Sequence, residues 1–224
     1  MCERYSLNVR PAELQEKFRI HKIYTVLTER YNISPTQSVP IVIGGSDNRK
    51  LIEARWGLFP FWAKDSINAD FDSVSRKKIF DRIISRQRCV IPCSGFFSWR
   101  TKGKVGEAFR IVLRNQNVFA MAGLFETRVD PRGAVHYSCT IVTTAPNRVV
   151  SEYYDRMPVI LDDAEREQWL HPEFTDRKML GNHIYAYPAS QMHVYPVTPL
   201  IQNESLETPE AIEEFRPQLA MLKD

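Results

Sequence analysis

The residue with the most distinctive chemistry in this chain is Cys2, in the opening Met1-Cys2-Glu3-Arg4-Tyr5. A small second residue favours removal of the initiator methionine, and Cys2 would then carry a free α-amine and a thiol two carbons apart, both titrating near neutrality. Such an aminothiol condenses with an aldehyde to an imine, after which the thiolate closes a five-membered thiazolidine. The same two groups could instead attack a carbonyl with the amine as base, as N-terminal nucleophile hydrolases do. The plain alternative is an inert small residue, and a single position does not decide among the three.

A second chemically suggestive stretch is Trp56-Gly57-Leu58-Phe59-Pro60-Phe61-Trp62, which holds four rings in seven residues but too much Gly and Pro for regular structure. Rings on a loop either lid a core or stack on the exposed bases of single-stranded nucleic acid. Arg55, Lys64, Arg76, Lys77, Lys78, Arg82, Arg86 and Arg88 interleave nearby and could track a phosphate backbone, although a solvated helix face explains such charges equally well. Cys89 and Cys93 have the spacing of half a zinc site, but no second Cys/His pair accompanies them and both lie in an apolar run, so no metal is expected.

The elements that must position these residues follow from periodicity. Residues 11 to 30 read as a helix with Leu14, Phe18, Ile23 and Leu27 on one face, and residues 73 to 87 as another with Val74, Ile79, Phe80, Ile83 and Ile84 inward. Short strands are expected at 39–43, 51–56, 88–92, 94–99, 109–114, 118–126, 137–144, 156–161 and 192–197, with a loop at 31–36 and a tight turn at Asp130-Pro131-Arg132-Gly133. Asp162 or Asp163 is positioned to cap a helix holding Glu165, Trp169 and Leu170, and further short helices are expected after Pro146, over 175–183 and near Pro209. This is an α+β pattern: a mainly antiparallel sheet closed into a barrel, or folded as a sandwich, with peripheral helices. One domain over residues 1–224 is expected, with a polar tail from about 203. The chain has 43% hydrophobic and 25% charged residues, ordinary for a soluble globule, and a net charge of +3 falls short of a strongly basic nucleic-acid footprint. No apolar run reaches the roughly 18 residues of a membrane span and the start lacks a signal-peptide pattern, so a cytoplasmic protein without disulfides is expected.

Taken together, several stretches resemble one family, the SRAP domain proteins, named as SOS response-associated peptidases and also called abasic-site processing proteins. The resemblance rests on Met1 to Tyr5, Tyr31-Asn32-Ile33-Ser34-Pro35-Thr36, Arg55 to Pro60, Ile67-Asn68-Ala69, Arg88 to Pro92 with Gly95-Phe96 and Trp99, Ala122-Gly123-Leu124, Thr140 to Ala145 and Asp155 to Leu161. It implies a compact, mainly β fold with a groove for single-stranded DNA. It further implies that Cys2 forms a thiazolidine crosslink with the aldehyde of an abasic site, in the SOS response to DNA damage. Asn68 matches the asparagine that positions the opened sugar, and Arg4 the arginine that holds a phosphate. Asn32, Pro35, Trp56, Phe59, Pro60, Trp62 and Arg156 fall at DNA-binding positions. The resemblance implies no cofactor, a monomer, and a bacterial or phage-derived protein that is nucleoid-associated when bound to DNA.

The chain departs from the family pattern at chemically important places. Asp70 stands where a phosphate-binding arginine is usual, Ser98 where the family has an acidic residue, Tyr154 where it has histidine, and Glu3 where it has glycine. With Cys2, Asn68, Ser98 and Tyr154 as the catalytic positions, a hydroxyl that does not titrate near neutrality and a phenol with a pKa of about 10 replace two proton-transfer groups. General acid/base catalysis is typically worth roughly a hundred- to ten-thousand-fold, which predicts slow ring closure or slow reversal. Two alternatives remain: a catalytically impaired relative acting as a DNA- or protein-binding module, and an N-terminal cysteine peptidase or hydrolase.

Overall fold

β-branched and aromatic residues dominate the middle of the chain, and there the structure, a computed structural model describing residues 3–102 and 105–216, forms its longest strands. Among the described residues fourteen strands run in order: β1 (Tyr5–Leu7), β2 (Lys22–Ile23), β3 (Arg30–Ile33), β4 (Ser38–Ile43), β5 (Lys50–Trp56), β6 (Asn68–Asp70), β7 (Arg88–Cys93), β8 (Gly95–Lys102), β9 (Val105–Leu113), β10 (Phe119–Val129), β11 (Val135–Thr144), β12 (Met157–Pro158), β13 (Ile160–Leu161) and β14 (Met192–Val197). Five short α-helices accompany them: α1 (Pro11–Phe18), α2 (Phe71–Val74), α3 (Asp81–Arg86), α4 (Asp163–Leu170) and α5 (Arg177–Gly181). None of the described helices is long and apolar enough to cross a membrane.

The larger sheet closes on itself. β11, β10, β7, β4 and β5 pair antiparallel in that order, and β5 returns to β11 in a parallel pair with Arg55 opposite Ser138 and Trp56 opposite Cys139. Closure removes the sheet edges, and Ile41, Val42, Leu51, Val90, Met121 and Ile141 on the two faces of its strands are all buried. A second sheet, ordered β14-β9-β8-β1-β3, packs one face on this core through Tyr5, Phe96 and Ile111. Phe97, Ala108 and Val197 form a smaller cluster with Ile201 and Ala211 of the C-terminal segment. The fold is therefore α+β with a mostly antiparallel barrel and peripheral helices, as the strand pattern implied.

Two helices are shorter than the periodicity suggested. α1 stops at Phe18 because Arg19 turns left-handed (φ 50°) and the Ile20 N–H folds back to the Gln15 carbonyl; Ile23 then joins β2 and is 41% exposed. The stretch from 73 to 87 breaks into α2, a 3₁₀ turn at Lys78–Phe80 and α3. Its apolar residues never formed one stripe, since Lys77 and Lys78 occupy the positions one turn beyond Val74, and Ile79, expected inward, is 77% exposed. Residues 30–33, read as part of a helix and a loop, form β3 and pair with β1. The Asp130 turn forms as expected: its carboxylate accepts from the Arg132 and Ala134 N–H groups, and Gly133 supplies the positive φ of 83°. Asp162 caps α4 in a full capping box with Glu165.

Candidate functional site

Cys2 lies outside the described residues, and the site is built from the strand that leads to it. Tyr5 and Ser6 of β1 pair with Phe96 and Gly95 of β8, and the Phe97 N–H donates to the Arg4 carbonyl at 3.0 Å. Glu3 precedes these paired residues, and Ser98 follows Phe97 on β8. Glu3 is exposed, whereas Ser98 is only 5% exposed, on a strand whose next neighbour places Phe109 beside it. Phe109 packs against Tyr153 with ring centres 4.5 Å apart and planes tilted by 50°, and the Arg100 guanidinium lies over both rings. Tyr154 follows, 37% exposed. Burial, then the carboxylates of Asp155 and Glu3, push its phenol above the usual value, so it stays protonated at neutral pH.

Asn68 comes from β6, a three-residue strand lying parallel to β11 with Asn68 opposite Ile141, and is 2% exposed. Two residues on, Asp70 caps α2 through the Asp72 N–H and forms an ion pair with Arg156 at 2.8 Å. Arg156 also donates to the Thr143 hydroxyl and carbonyl, at 3.0 and 2.8 Å. The Asp70–Arg156 pair thus ties the strand bearing Asn68 to the segment bearing Tyr154. Where the family resemblance implies a cation, the Asp70 carboxylate is thus paired with the Arg156 guanidinium.

Arg4 points the other way, toward the C-terminal segment. Its guanidinium donates to the Asn32 Oδ1 at 3.1 Å, the Gln202 carbonyl at 3.1 Å and the Glu204 carboxylate at 3.3 Å. Asn32 is fully buried and its amide donates to the Ile201 and Asn203 carbonyls. Asn32 therefore fixes Arg4 and the C-terminal segment instead of facing a ligand, while Pro35 beyond it is half-buried. The polar stretch after 203, read from sequence as a tail, is docked as far as Phe215, whose N–H donates to the Pro196 carbonyl at 2.8 Å.

The ring-rich loop divides by burial. Trp56 is a core residue at 1% exposure, edge-on to Tyr5, with its indole N–H donating to the Ile67 carbonyl at 2.8 Å; no ring face is left for a base. Gly57 adopts φ 140°, which an L side chain rarely accepts, and turns the chain outward. Beyond it Phe59, Phe61 and Trp62 are 44%, 40% and 81% exposed and pack edge to face, with a cis bond before Pro60. Arg55 lies 4.0 Å over the Phe61 ring and Arg128 lies 3.7 Å over Phe59. Phe59, Phe61 and these arginines line a groove of about 710 Å³ together with Tyr24 and Tyr137. Arg128 escaped the sequence reading because it sits on β10, far along the chain from the loop it covers.

The basic stripe expected to track phosphates is incomplete. Arg88 is buried, its guanidinium donating to the Ile84, Ser85, Trp169 and His171 carbonyls, and burial brings its pKa down to about 10. It joins α3, α4 and β7 as a structural strut. Lys77 pairs with Asp65, whereas Arg76, Lys78, Arg82 and Arg86 are exposed. Cys89 and Cys139 are fully buried and burial pushes both thiols up, so neither is a nucleophile. Among the described residues no group of three potential metal ligands is brought together.

The sequence matches the family described as SOS response associated peptidase (SRAP) over residues 1–204. It is 36% identical over 222 residues to the abasic site processing protein YoqW of Bacillus subtilis, covering 95% of this chain and 99% of that one. It is 33% identical to YoaM of the same organism, covering 95% and 98% of the two chains. A crystal structure of a protein from Bacteroides thetaiotaomicron shares the fold with a TM-score of 0.85 at 22% identity, over 96% of this chain and all of that one.

Proposed function

The chain belongs to the SRAP family, and from that premise we propose that it processes abasic sites in single-stranded DNA, forming a thiazolidine crosslink through Cys2 once Met1 is removed. The observation that carries the reading is the arrangement at the start of β1: the strand leading toward Cys2 pairs with β8 beside Ser98, with the Phe97 N–H holding the Arg4 carbonyl, and the Asp70–Arg156 pair joins the strand bearing Asn68 to the segment bearing Tyr154. The Cys2 amine attacks the aldehyde of the ring-opened sugar, water leaves to give an imine, and the thiolate closes the ring as the nitrogen takes a proton. Asn68 orients the opened sugar. Phe59, Phe61 and Trp62 stack on bases, and Arg55 and Arg128 supply positive charge along the strand.

The test is direct. Incubation with single-stranded DNA carrying one abasic site is expected to give a denaturation-resistant adduct that Cys2→Ala does not form, and intact mass is expected to show Met1 removed. An adduct that persists in Cys2→Ala would take Cys2 out of the mechanism. Cleavage of peptide substrates unaffected by abasic DNA would favour a hydrolase instead. DNA binding without any adduct would leave a binding module.

A further inference from the structure

One row of residues crosses the seam where the barrel closes. Glu126 of β10 pairs with Ser138 of β11, and Ser138 pairs with Arg55 of β5. The ring loop folds over this row. The Glu126 Oε1 accepts from the Phe59 N–H at 2.8 Å and from the Ser138 hydroxyl at 3.0 Å, and it lies 3.8 Å from the Arg128 Nε. Arg128 in turn lies over the Phe59 ring, and Arg55 over Phe61. We propose that Glu126 is the positioning residue of the ring loop: its carboxylate fixes the backbone at Phe59 and so holds Phe59, Phe61 and Trp62 in the arrangement that meets the bases of single-stranded DNA. The proposal rests on the base-stacking role given to these rings above.

Packing alone does not hold the loop. Its base is fixed by the Gly57 N–H on the Cys139 carbonyl, the Leu58 N–H on the Ser66 carbonyl and the Ser66 hydroxyl on the Leu58 carbonyl. Past Leu58 the chain runs between two hollows: the groove of about 710 Å³, and a second of about 350 Å³ bounded by Leu58, Phe59, Pro60, Ile79 and Phe80. Phe59 lines both. It is also the ring that Phe61 and Trp62 both touch, with centres 5.7 and 5.9 Å away, so a shift at Phe59 moves all three. An acceptor on the Phe59 N–H therefore acts on the whole ring cluster. The charge of that acceptor points the same way. A carboxylate beside phosphates repels them, so Glu126 lowers DNA affinity directly and raises it only through the loop it holds. Its side chain is 18% exposed and that of Arg128 is 52% exposed, which leaves the cation to solvent and the acid to the loop.

The two effects separate by substitution. Glu126→Gln keeps an oxygen for the Phe59 N–H and removes the charge. Glu126→Ala removes the oxygen, and Glu126→Leu does so while keeping the bulk, which guards against a loss of folding in Glu126→Ala. By fluorescence anisotropy, Glu126→Gln is expected to bind undamaged single-stranded DNA at least as tightly as wild type to within about twofold, and the other two about tenfold more weakly, the scale of one stacked base. In single-turnover crosslinking of abasic single-stranded DNA, that loss is expected in the half-saturating concentration, with the rate at saturation within about threefold of wild type. Trp62 reports on the loop without DNA. Its time-resolved anisotropy, taken as the difference from matched Trp62→Phe controls, is expected to gain fast depolarisation in Glu126→Ala and Glu126→Leu and not in Glu126→Gln. Unchanged affinity in both Glu126→Ala and Glu126→Leu, Glu126→Gln as weak as Glu126→Ala, or weaker binding with unchanged Trp62 motion overturns the assignment. A rate at saturation that falls together with affinity also overturns it, since a loop anchor acts on binding alone. Trp62→Ala that binds as tightly as wild type overturns the base-stacking reading instead, and the Trp62 motion of DNA-free Glu126→Ala and Glu126→Leu then still decides whether Glu126 holds the loop.

Discussion

Asp70 illustrates how one acidic residue acts beyond its own element. It stands where the family resemblance implies a cation, and it holds Arg156, which lies 86 positions away in sequence, in an ion pair at 2.8 Å. The loss of positive charge was legible from the residue type, but the pairing was not, since no local pattern reports a contact of that separation. Asp70→Asn isolates the charge, because asparagine is also a good N-cap and keeps the start of α2. The variant is expected to bind single-stranded DNA several-fold more tightly at low salt. One recovered phosphate contact should steepen the dependence of log K on log salt by about 0.7, as measured by fluorescence anisotropy across a salt series. An unchanged slope would mean that Arg156 does not reach the backbone even when released. Tyr154 offers a second residue-scale test. Its raised phenol is protonated below its folded pKa, so a crosslinking rate dependent on that phenol as a donor would be flat through neutrality and fall only in alkaline solution. Tyr154→Phe is expected to remove that alkaline limb in a pH–rate profile.

Among elements, the longer strands and the Asp-capped helices α4 and α5 were readable, and the two longest expected helices were not. Alternation and turn residues located β4, β5, β7, β10, β11 and β14 to within a few residues because each places one face on the barrel core or the second sheet. Those two helices failed where side-chain packing outweighed local preference: α1 ends at a left-handed arginine without a glycine to announce it, and 73–87 breaks at its lysines. The ring loop was legible as a loop, yet composition could not tell which rings it buries. That division depends on Gly57 turning the chain after Trp56 has entered the core. Two truncations should therefore behave oppositely. Trp56→Ala is expected to lose about 3–5 kcal/mol of folding stability in a denaturant titration, the scale for a buried tryptophan. Trp62→Ala is expected to leave stability unchanged while weakening single-stranded DNA binding by about 1–3 kcal/mol, the worth of one stacked base.

At the scale of the whole molecule, the first strand of the site depends on the last segment of the described chain. Glu207 is the joint. It accepts from the backbone N–H groups of Tyr31 and Asn32 and from Arg30 at 3.0 Å, so the segment that also supplies the Gln202 and Glu204 contacts to Arg4 is clamped to β3. Burial pushes the Glu207 carboxyl up, but the Arg30 hydrogen bond and the two backbone donors outweigh it and leave the pKa below the usual carboxylate value. A group depressed in the folded state adds stability that is fully present above its unfolded pKa, about 4.3, and is lost as pH falls through the folded value. The segment should accordingly hold at neutral pH and loosen only in acid below about 4.3. Glu207→Gln is expected to remove about 2 kcal/mol of stability at pH 7, the scale of a hydrogen bond to a charged group, and to flatten the dependence of stability on pH in that acid range. Hydrogen exchange should locate the loss in β3 and residues 199–212. Protection there equal to that of the native chain would show that the C-terminal segment is held by Ile201 and Ala211 alone and that Arg4 does not depend on Glu207 for its position.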